Sequence, residues 1–193
     1  MTYKTNNQYY SKTFIAISLT FMVLLGSQVL AKDIDPHLVK PSEKPDLLNF
    51  HEVHSYLLRG GRPSPKGLEI LKDKGVKYII DLTHDTKSVD AEKAIAQNLN
   101  MEFINLPMSD KAPSKSEVDT FLDIVEKAKK NHEKVYVHCA HGSDRTGCMV
   151  GIWRVTHDHY SYPKAYSEMR KYYFSPKFTQ LSGTVKQYSK NQN

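Results

Sequence analysis

Apolar positions along the chain gather into short runs that predict buried strands. Residues 76–82, 101–106 and 135–137 combine aliphatic and aromatic side chains, and runs of this length and composition favour strands over helices. Residues 50–58 partly alternate between apolar and polar side chains, which is typical of an edge strand with one solvated face. The pattern therefore predicts an edge strand followed by buried parallel strands.

Helical patterns lie between these runs, and capping residues mark several of their ends. Ser64 followed by Pro65 predicts a helix start, and Gly75 predicts the end of that helix. Ser114 and Glu117 have the spacing of a capping box, and apolar residues follow at i, i+3, i+4 and i+7. Further helices are predicted at residues 88–100, 148–155, 163–174 and 177–188.

The alternation of strands and helices predicts the fold class. Parallel strands need helical crossovers, and those crossovers cover the sheet from both sides. We therefore expect an α/β domain with a central, mainly parallel sheet flanked by helices on both faces.

The N-terminal residues have the pattern of a secretory signal peptide. Lys4 and Lys12 precede an apolar run at residues 14–25, and Ala31 ends a stretch suited to signal-peptidase cleavage. We predict a signal peptide at residues 1–31, an extended lead-in at residues 32–49 and one domain at residues 50–190. The protein is then exported to the periplasm or beyond, with no stable membrane association after cleavage. An uncleaved membrane anchor is the alternative.

Composition narrows the function classes. The formal net charge of +6 falls to about +4 without the signal peptide, and the basic residues are not clustered. Nucleic-acid binding is therefore not predicted. The histidine pairs His51 and His54, and His157 and His159, have no third ligand at a suitable spacing, so no metal site is predicted.

One stretch carries most of the candidate chemistry. Residues 138–147 read His-Cys-Ala-His-Gly-Ser-Asp-Arg-Thr-Gly, between a strand-like run and a helix-like run. A loop that ends a strand and starts a helix points backbone N–H groups into one concavity and favours an anion there. The same surroundings favour a thiolate, so we expect a depressed pKa and nucleophilic character for Cys139.

The other residues of this loop fit phosphate binding. Arg145, six positions after Cys139, can hold two phosphoryl oxygens bidentately. Thr146 can donate its hydroxyl to the departing sulfur, and His138 is placed to orient the loop. The predicted phosphate-binding residues are Ala140, His141, Gly142, Ser143, Asp144 and Arg145.

The loop has the signature of the protein tyrosine phosphatase superfamily, and the chain resembles the atypical dual-specificity phosphatases of plants and fungi. The resemblance also rests on residues 57–65, Leu-Leu-Arg-Gly-Gly-Arg-Pro-Ser-Pro, and on residues 71–82. It covers roughly residues 50–182 and implies the dual-specificity phosphatase fold. Bacterial tyrosine-phosphatase-like phytases are similar to the chain in the same loop. The chain differs at Ala140, His141 and Asp144, where the plant and fungal loops usually carry basic residues.

This resemblance also implies a general acid. Small dual-specificity phosphatases carry it on a loop at about the position of residues 107–114, so Asp110, 29 residues before Cys139, is the candidate. Asp85, Asp90 and Asp144 compete for the role, and Asp110 could instead stabilise a turn.

The expected reaction is phosphate monoester hydrolysis through a cysteinyl-phosphate intermediate, with no metal or organic cofactor. The substrate is either an inositol polyphosphate, as for a phytase, or a phosphoprotein, and we favour the small molecule. Lys111, Arg62, His84 and His141 are candidates for additional substrate contacts. A sulfurtransferase and an inactive phosphate-binding module are the alternatives. The sequence predicts no oligomeric state.

Overall fold

The structure is a computed structural model that describes residues 35–190, so the predicted signal peptide lies outside the described residues. The strands are β1 (His51–His54), β2 (Leu57–Gly61), β3 (Val76–Asp81), β4 (Glu102–Asn105) and β5 (Lys134–Cys139). The helices are α1 (Pro65–Asp73), α2 (Thr86–Asn98), α3 (Lys115–Lys130), α4 (Asp144–Thr156), α5 (Tyr162–Lys171) and α6 (Thr179–Lys190), with a short 3₁₀ helix at Pro41–Glu43.

The five strands form one sheet in the order β1-β2-β5-β3-β4. The first pair is antiparallel, and every other neighbouring pair is parallel. This confirms the mainly parallel sheet. It also places β5, which ends at Cys139, between two parallel neighbours, so the carboxyl ends of three strands meet around the thiol.

Two apolar clusters cover the two faces of the sheet. One joins alternate strand residues such as Ile80 and Val137 to α3, α4, α5 and α6. The other joins Ile79 and Tyr136 to α1 and α2. Because neighbouring strand residues point to opposite faces, this division confirms that helices flank the sheet on both sides.

The capping residues act as predicted from the sequence. The Ser64 hydroxyl accepts a hydrogen bond from the Gly67 N–H, with Pro65 in the first turn. Ser114 and Glu117 form both hydrogen bonds of the capping box at the start of α3. These contacts satisfy N–H groups that a helix start leaves without partners.

The single edge strand expected at residues 50–58 is wrong. The chain turns at Ser55 and Tyr56, so that β1 is the edge and β2 lies inside the sheet against β5. The turn contains no Gly, Asn or Asp, the residues that usually mark a two-residue hairpin. All five residues of β2 are buried, which agrees with its inner position.

Residues 35–49 pack on the domain. Leu48 is buried, and its carbonyl accepts a hydrogen bond from the Gly61 N–H at 2.7 Å. The Asp46 carbonyl accepts another from the Ser64 N–H at 3.0 Å. Residues 46–49 are therefore packed continuously with the rest of the domain, without a break at residue 50. Within the described residues, no helix combines the length and apolar character needed to cross a membrane.

Candidate active site

The loop at residues 140–143 joins the end of β5 to the start of α4, as the sequence predicted. Cys139 is the last strand residue and is buried. Its sulfur accepts hydrogen bonds from the backbone N–H groups of His141 and Thr146 and from the Thr146 hydroxyl. The Thr146 hydroxyl is buried, and it stabilises the charged form of the sulfur. The loop is therefore arranged around the thiol.

These contacts decide the charge of Cys139. Burial alone raises the pKa of the thiol, because a buried anion loses hydration. The positive charge of Arg145 and the hydrogen bonds from Thr146 and His141 outweigh burial, and the pKa falls below its ordinary value of 9.0. The depressed pKa expected from the sequence is confirmed.

Cys148 has the opposite environment. It is fully buried on α4, where burial raises its pKa and its thiol donates to the Leu181 carbonyl at 3.4 Å. Both cysteines are free. One thiol is therefore activated, and the other packs a helix.

Gly142 is required by the shape of the loop. Its φ of +74° lies in the left-handed region, and a Cβ atom would lie 2.3 Å from the Gly60 carbonyl carbon. Only glycine lets the loop pass this close to β2.

Arg59 on β2 stabilises the loop through a hydrogen bond to its backbone. It is fully buried, donates from Nη2 to the Gly142 carbonyl at 2.7 Å and stacks 4.7 Å from the Tyr172 ring centre. Burial lowers its pKa to about 10, so the side chain remains charged at neutral pH. Sequence reasoning quoted this arginine without assigning it a role. The available signal was a lone arginine within the otherwise apolar β2.

Arg145 belongs to the catalytic loop, which comprises residues 139–147 and includes the first turn of α4, and its side chain contacts two other loops. Its Nη1 donates to the carbonyls of Leu82, after β3, at 3.3 Å and of Met108, after β4, at 3.4 Å. The guanidinium is half-buried and lines the main cavity. These contacts position a cation beside the thiolate.

A cluster of buried charges lies next to the loop. His138 Nε2 is 2.8 Å from Glu92 Oε1, and Asp81 lies 3.8 Å from His138 Nδ1. Burial alone lowers the pKa of His138, but the charge of Glu92 outweighs it and the pKa is raised. His138 thus supports the loop from inside the protein. The role of Glu92 was missed, since an acidic residue on a helix usually faces solvent.

Arg62, predicted from the sequence as a possible substrate contact, lies in this buried charge cluster and is not among the residues that line the main cavity. Its guanidinium lies 3.6 Å from Glu92 and 3.8 Å from Asp81, and it donates to the Thr83 hydroxyl. Asp81, Glu92 and His138 have ligand atoms close enough together to hold a metal ion. Because Arg62 already supplies positive charge to both carboxylates, we assign no metal to them.

A cavity of about 940 Å³ opens beside the loop. Asp110, exposed on the loop after β4, lines it together with His84, and the catalytic loop contributes His141, Asp144 and Arg145. Lys111 lines a smaller cavity of about 230 Å³ that shares His84. Neither of the competing acids Asp85 and Asp90 is among the lining residues. The walls also include Asp35, His37, Ser109, Arg170, Tyr173, Ser175, Pro176, Lys177, Phe178 and Leu181.

The remaining loop residues differ in their contacts. Asp144 accepts a hydrogen bond from the Ser175 N–H at 2.8 Å, which ties the α5–α6 connection to the loop and occupies one carboxylate oxygen. The Ala140 carbonyl accepts from the Arg62 N–H at 3.4 Å. The Ser143 hydroxyl is buried without a hydrogen-bond partner. Asp110 lines the cavity and remains the candidate general acid.

Comparison with protein families shows one match over most of the chain. The family model described as a DSP-PTPase phosphatase fused to NAD+ kinase matches residues 36–187. The probable chloroplastic NAD kinase 2 of Oryza sativa subsp. japonica is 35% identical over 118 residues, covering 58% of this chain and 12% of that protein. Inositol diphosphatase DSP3 of Arabidopsis thaliana is 29% identical over 109 residues, covering 55% of this chain and 53% of that protein. The chain thus spans about half or less of these curated relatives.

Solved structures share the fold. P. aeruginosa TpbA superposes with a TM-score of 0.62 at 21% identity, covering 77% of this chain and 87% of that chain. The core catalytic domain of the PP-IP phosphatase SIW14 from S. cerevisiae gives a TM-score of 0.63 at 18% identity, covering 77% and 90%. At these identities the likeness concerns the arrangement of helices and strands.

Proposed function

The chain belongs to the family described as a DSP-PTPase phosphatase fused to NAD+ kinase, and from this premise we propose that it hydrolyses phosphate monoesters through a cysteinyl-phosphate intermediate. One observation carries the proposal. The Cys139 sulfur lies among the N–H groups of His141 and Thr146 and beside the Arg145 charge, and its pKa is lowered despite burial. A packing cysteine needs none of these contacts, as Cys148 illustrates.

In the first step the Cys139 thiolate attacks phosphorus. The sulfur–phosphorus bond forms while the bond from phosphorus to the ester oxygen breaks. Arg145 and the loop N–H groups stabilise the charge on the phosphoryl oxygens. Asp110, which lines the cavity, gives its proton to the departing alkoxide.

In the second step water replaces the sulfur. Asp110, now a carboxylate, takes a proton from the attacking water, and inorganic phosphate leaves. The Thr146 hydroxyl hydrogen-bonds to the sulfur and stabilises the thiolate as it departs. The cycle ends with the starting charge states restored and requires no cofactor.

We propose a small, phosphorylated molecule such as an inositol polyphosphate as the substrate. The cavity of about 940 Å³ has the size of a small-molecule site, and its walls include Arg170 and Lys177 in addition to Arg145. The relative DSP3 is named an inositol diphosphatase, and SIW14 is named a PP-IP phosphatase. A phytase-like action on inositol phosphates is consistent with these cations.

A phosphoprotein is the second candidate substrate. A TpbA variant has been solved in complex with pTyr, and the cavity here also has an apolar wall that includes Phe178 and Leu181. An aromatic ring could pack against such a wall.

Export remains part of the proposal and rests on the signal-peptide pattern of residues 1–31.

Replacing Cys139 tests the proposed reaction. We expect Cys139→Ser to abolish phosphate release from p-nitrophenyl phosphate and inositol hexakisphosphate, because a serine hydroxyl stays protonated at neutral pH. Cys148→Ala is the matched control and should retain turnover, since that thiol is buried away from the cavity. Phosphate release is measured for both variants on the same preparations.

The same assays separate the alternatives. A panel with a phosphotyrosine peptide, inositol hexakisphosphate and NADP ranks the substrate classes, and a thiosulfate–cyanide assay measures sulfurtransferase activity. Unchanged phosphate release by Cys139→Ser, or turnover of thiosulfate alone, would contradict the proposed function.

A further inference from the structure

The lead-in forms part of the cavity wall. Asp35 and His37 line the cavity although they precede Cys139 by about a hundred residues. The His37 ring centre is 4.7 Å from that of His141, and His37 Nε2 is 3.8 Å from Asp144 Oδ2. An N-terminal residue therefore contacts two residues of the catalytic loop.

Further contacts fix the lead-in in this position. Pro36 is buried next to His37, and Asn49 donates from Nδ2 to the His141 carbonyl at 3.3 Å. The His51 ring lies 3.0 Å from the Asn49 side-chain oxygen. His141 is thus held through its carbonyl at one end of the lead-in and through its ring at the other.

The cavity contains more side chains that can donate to an anion than one phosphate needs. The reacting phosphoryl group is served by Arg145 and the N–H groups around the Cys139 sulfur. His37 and the His141 side chain remain, as do two basic residues of α5 and the α5–α6 connection, Arg170 and Lys177. A substrate with a single phosphate leaves the two imidazoles with the Asp144 carboxylate as their neighbouring anion.

We propose that His37 and His141 form a second phosphate subsite, and that the lead-in thereby selects substrates with a further phosphate near the scissile one. This inference rests on the proposed function and narrows it to multiply phosphorylated small molecules. The backbone N–H of His141 faces the reacting centre while its ring contacts His37. His141 therefore contributes to both subsites, and they lie next to each other.

The charge state of the His141 imidazole gives the subsite a pH dependence. Burial lowers the pKa of His141, and the nearby charges of His37, Lys44 and Arg145 lower it further, against Asp144. His141 is therefore mainly neutral at neutral pH, and a bound phosphate would favour its protonated form. Binding should take up a proton and strengthen as the pH falls. The other ionisable groups on the cavity walls are Asp35, His84, Asp110, Arg170 and Lys177.

The test compares His37→Asn with His132→Asn, an exposed histidine outside this cavity. Substrates are inositol hexakisphosphate and an inositol monophosphate. We expect His37→Asn to raise KM for the hexakisphosphate by about tenfold, the value of one hydrogen bond to a charged group. Its kcat and the KM for the monophosphate should change by less than about twofold. His132→Asn should match the wild type for both substrates.

The pH dependence provides a second readout that a structural defect would not reproduce. The ratio of KM values for the hexakisphosphate in His141→Asn and wild type is measured between about pH 5.5 and 7.5, because the His141 ring supplies the pH dependence and the substitution keeps its backbone N–H. Titration of the substrate cancels in this ratio, so the ratio should grow as the pH falls. Binding of the hexakisphosphate to Cys139→Ser protein, with and without His37→Asn, repeats the comparison of His37→Asn with wild type without turnover.

Two outcomes overturn the inference while leaving the phosphatase intact. One is an equal change of KM for both substrates in His37→Asn, and the other is no change for either. Failure of the wild type to hydrolyse any phosphate ester would instead overturn the proposed function, so the two failures are distinguishable.

Discussion

Cys139 shows how opposing effects on a single residue decide its chemistry. Burial favours the neutral thiol, whereas Arg145 and the donors at Thr146 and His141 favour the thiolate, and the second group prevails. Cys148, equally buried, lacks any such compensation and its pKa is raised. Burial is common to both cysteines and does not distinguish them. Cys139 differs from Cys148 in the hydrogen-bond donors and the cation that surround its sulfur.

Thr146 is the residue at which this balance can be tested. We expect Thr146→Val to raise the pKa of Cys139 and to lower kcat by about tenfold, because the sulfur loses a hydrogen bond both as nucleophile and as leaving group. The rate of Cys139 alkylation by iodoacetate, measured against pH, reports the pKa. In the wild type its midpoint should lie below 9.0, the ordinary value for a thiol.

Thr146→Ser keeps the hydroxyl and serves as the control, with an alkylation profile close to that of the wild type. A Thr146→Val profile identical to the wild type would show that the hydroxyl does not stabilise the thiolate.

At the scale of elements, the segment between β4 and α3 carries the proposed general acid, Asp110. The Ser114–Glu117 capping box fixes its end, and its Met108 carbonyl accepts a hydrogen bond from Arg145. The Ala112 N–H donates to the Gln180 side chain at 3.4 Å, which connects the segment to α6. Asp110 is exposed between these attachments and lines the cavity.

Replacing Asp110 separates substrates by their leaving group. We expect Asp110→Asn to slow hydrolysis of an inositol phosphate by about a hundredfold, because an alkoxide needs a proton to depart. Hydrolysis of p-nitrophenyl phosphate should slow less, since nitrophenolate departs without one. Steady-state kinetics on both esters provide the measurement.

Asp85→Asn is the matched control for Asp110→Asn. Asp85 is an exposed aspartate whose carboxylate binds the Ser88 hydroxyl, and it does not line the main cavity. A larger effect from Asp85→Asn than from Asp110→Asn would show that Asp85, on the loop after β3, is the general acid.

The helices and strands also show which local sequence signals were sufficient to predict secondary structure. The caps of α1 and α3 were predicted because their hydrogen bonds join residues only three positions apart. The β1–β2 hairpin was missed because Ser55 and Tyr56 carry no strong turn preference. Its formation depends on β2 pairing with β5, about eighty residues later.

At the scale of the whole molecule, buried charges join elements that are distant in sequence. Glu92 on α2, His138 on β5 and Arg62 after β2 meet behind the catalytic loop. Removing one member of such a cluster leaves its partners buried and unpaired. The cluster should therefore support both stability and the position of the loop.

Replacing Glu92 tests this role. We expect Glu92→Gln to lower the free energy of unfolding by about 3 kcal/mol, as measured by urea denaturation. Because the pKa of His138 is raised from 6.5 in the folded protein, its stabilising contribution is complete below pH 6.5. That contribution is lost as the pH rises through the folded-state pKa, and this loss should be smaller in the variant.

Glu69→Gln provides a control on the surface, where the exposed pair with Lys66 should contribute little to stability. Equal stability losses in the two variants, or an unchanged pH dependence in Glu92→Gln, would contradict the role of the buried cluster.

The sequence by itself determined the strand–loop–helix at residues 138–147, which brings Arg145 and Thr146 next to Cys139, and the mainly parallel α/β fold. These features follow from local spacing and periodicity, because the groups that act together are close in the chain. Tertiary structure alone decided that Arg59 and Glu92 support the loop, that Arg62 is occupied by carboxylates and that His37 reaches the cavity. Each of these contacts joins segments whose proximity depends on strand order and packing, which local periodicity does not encode.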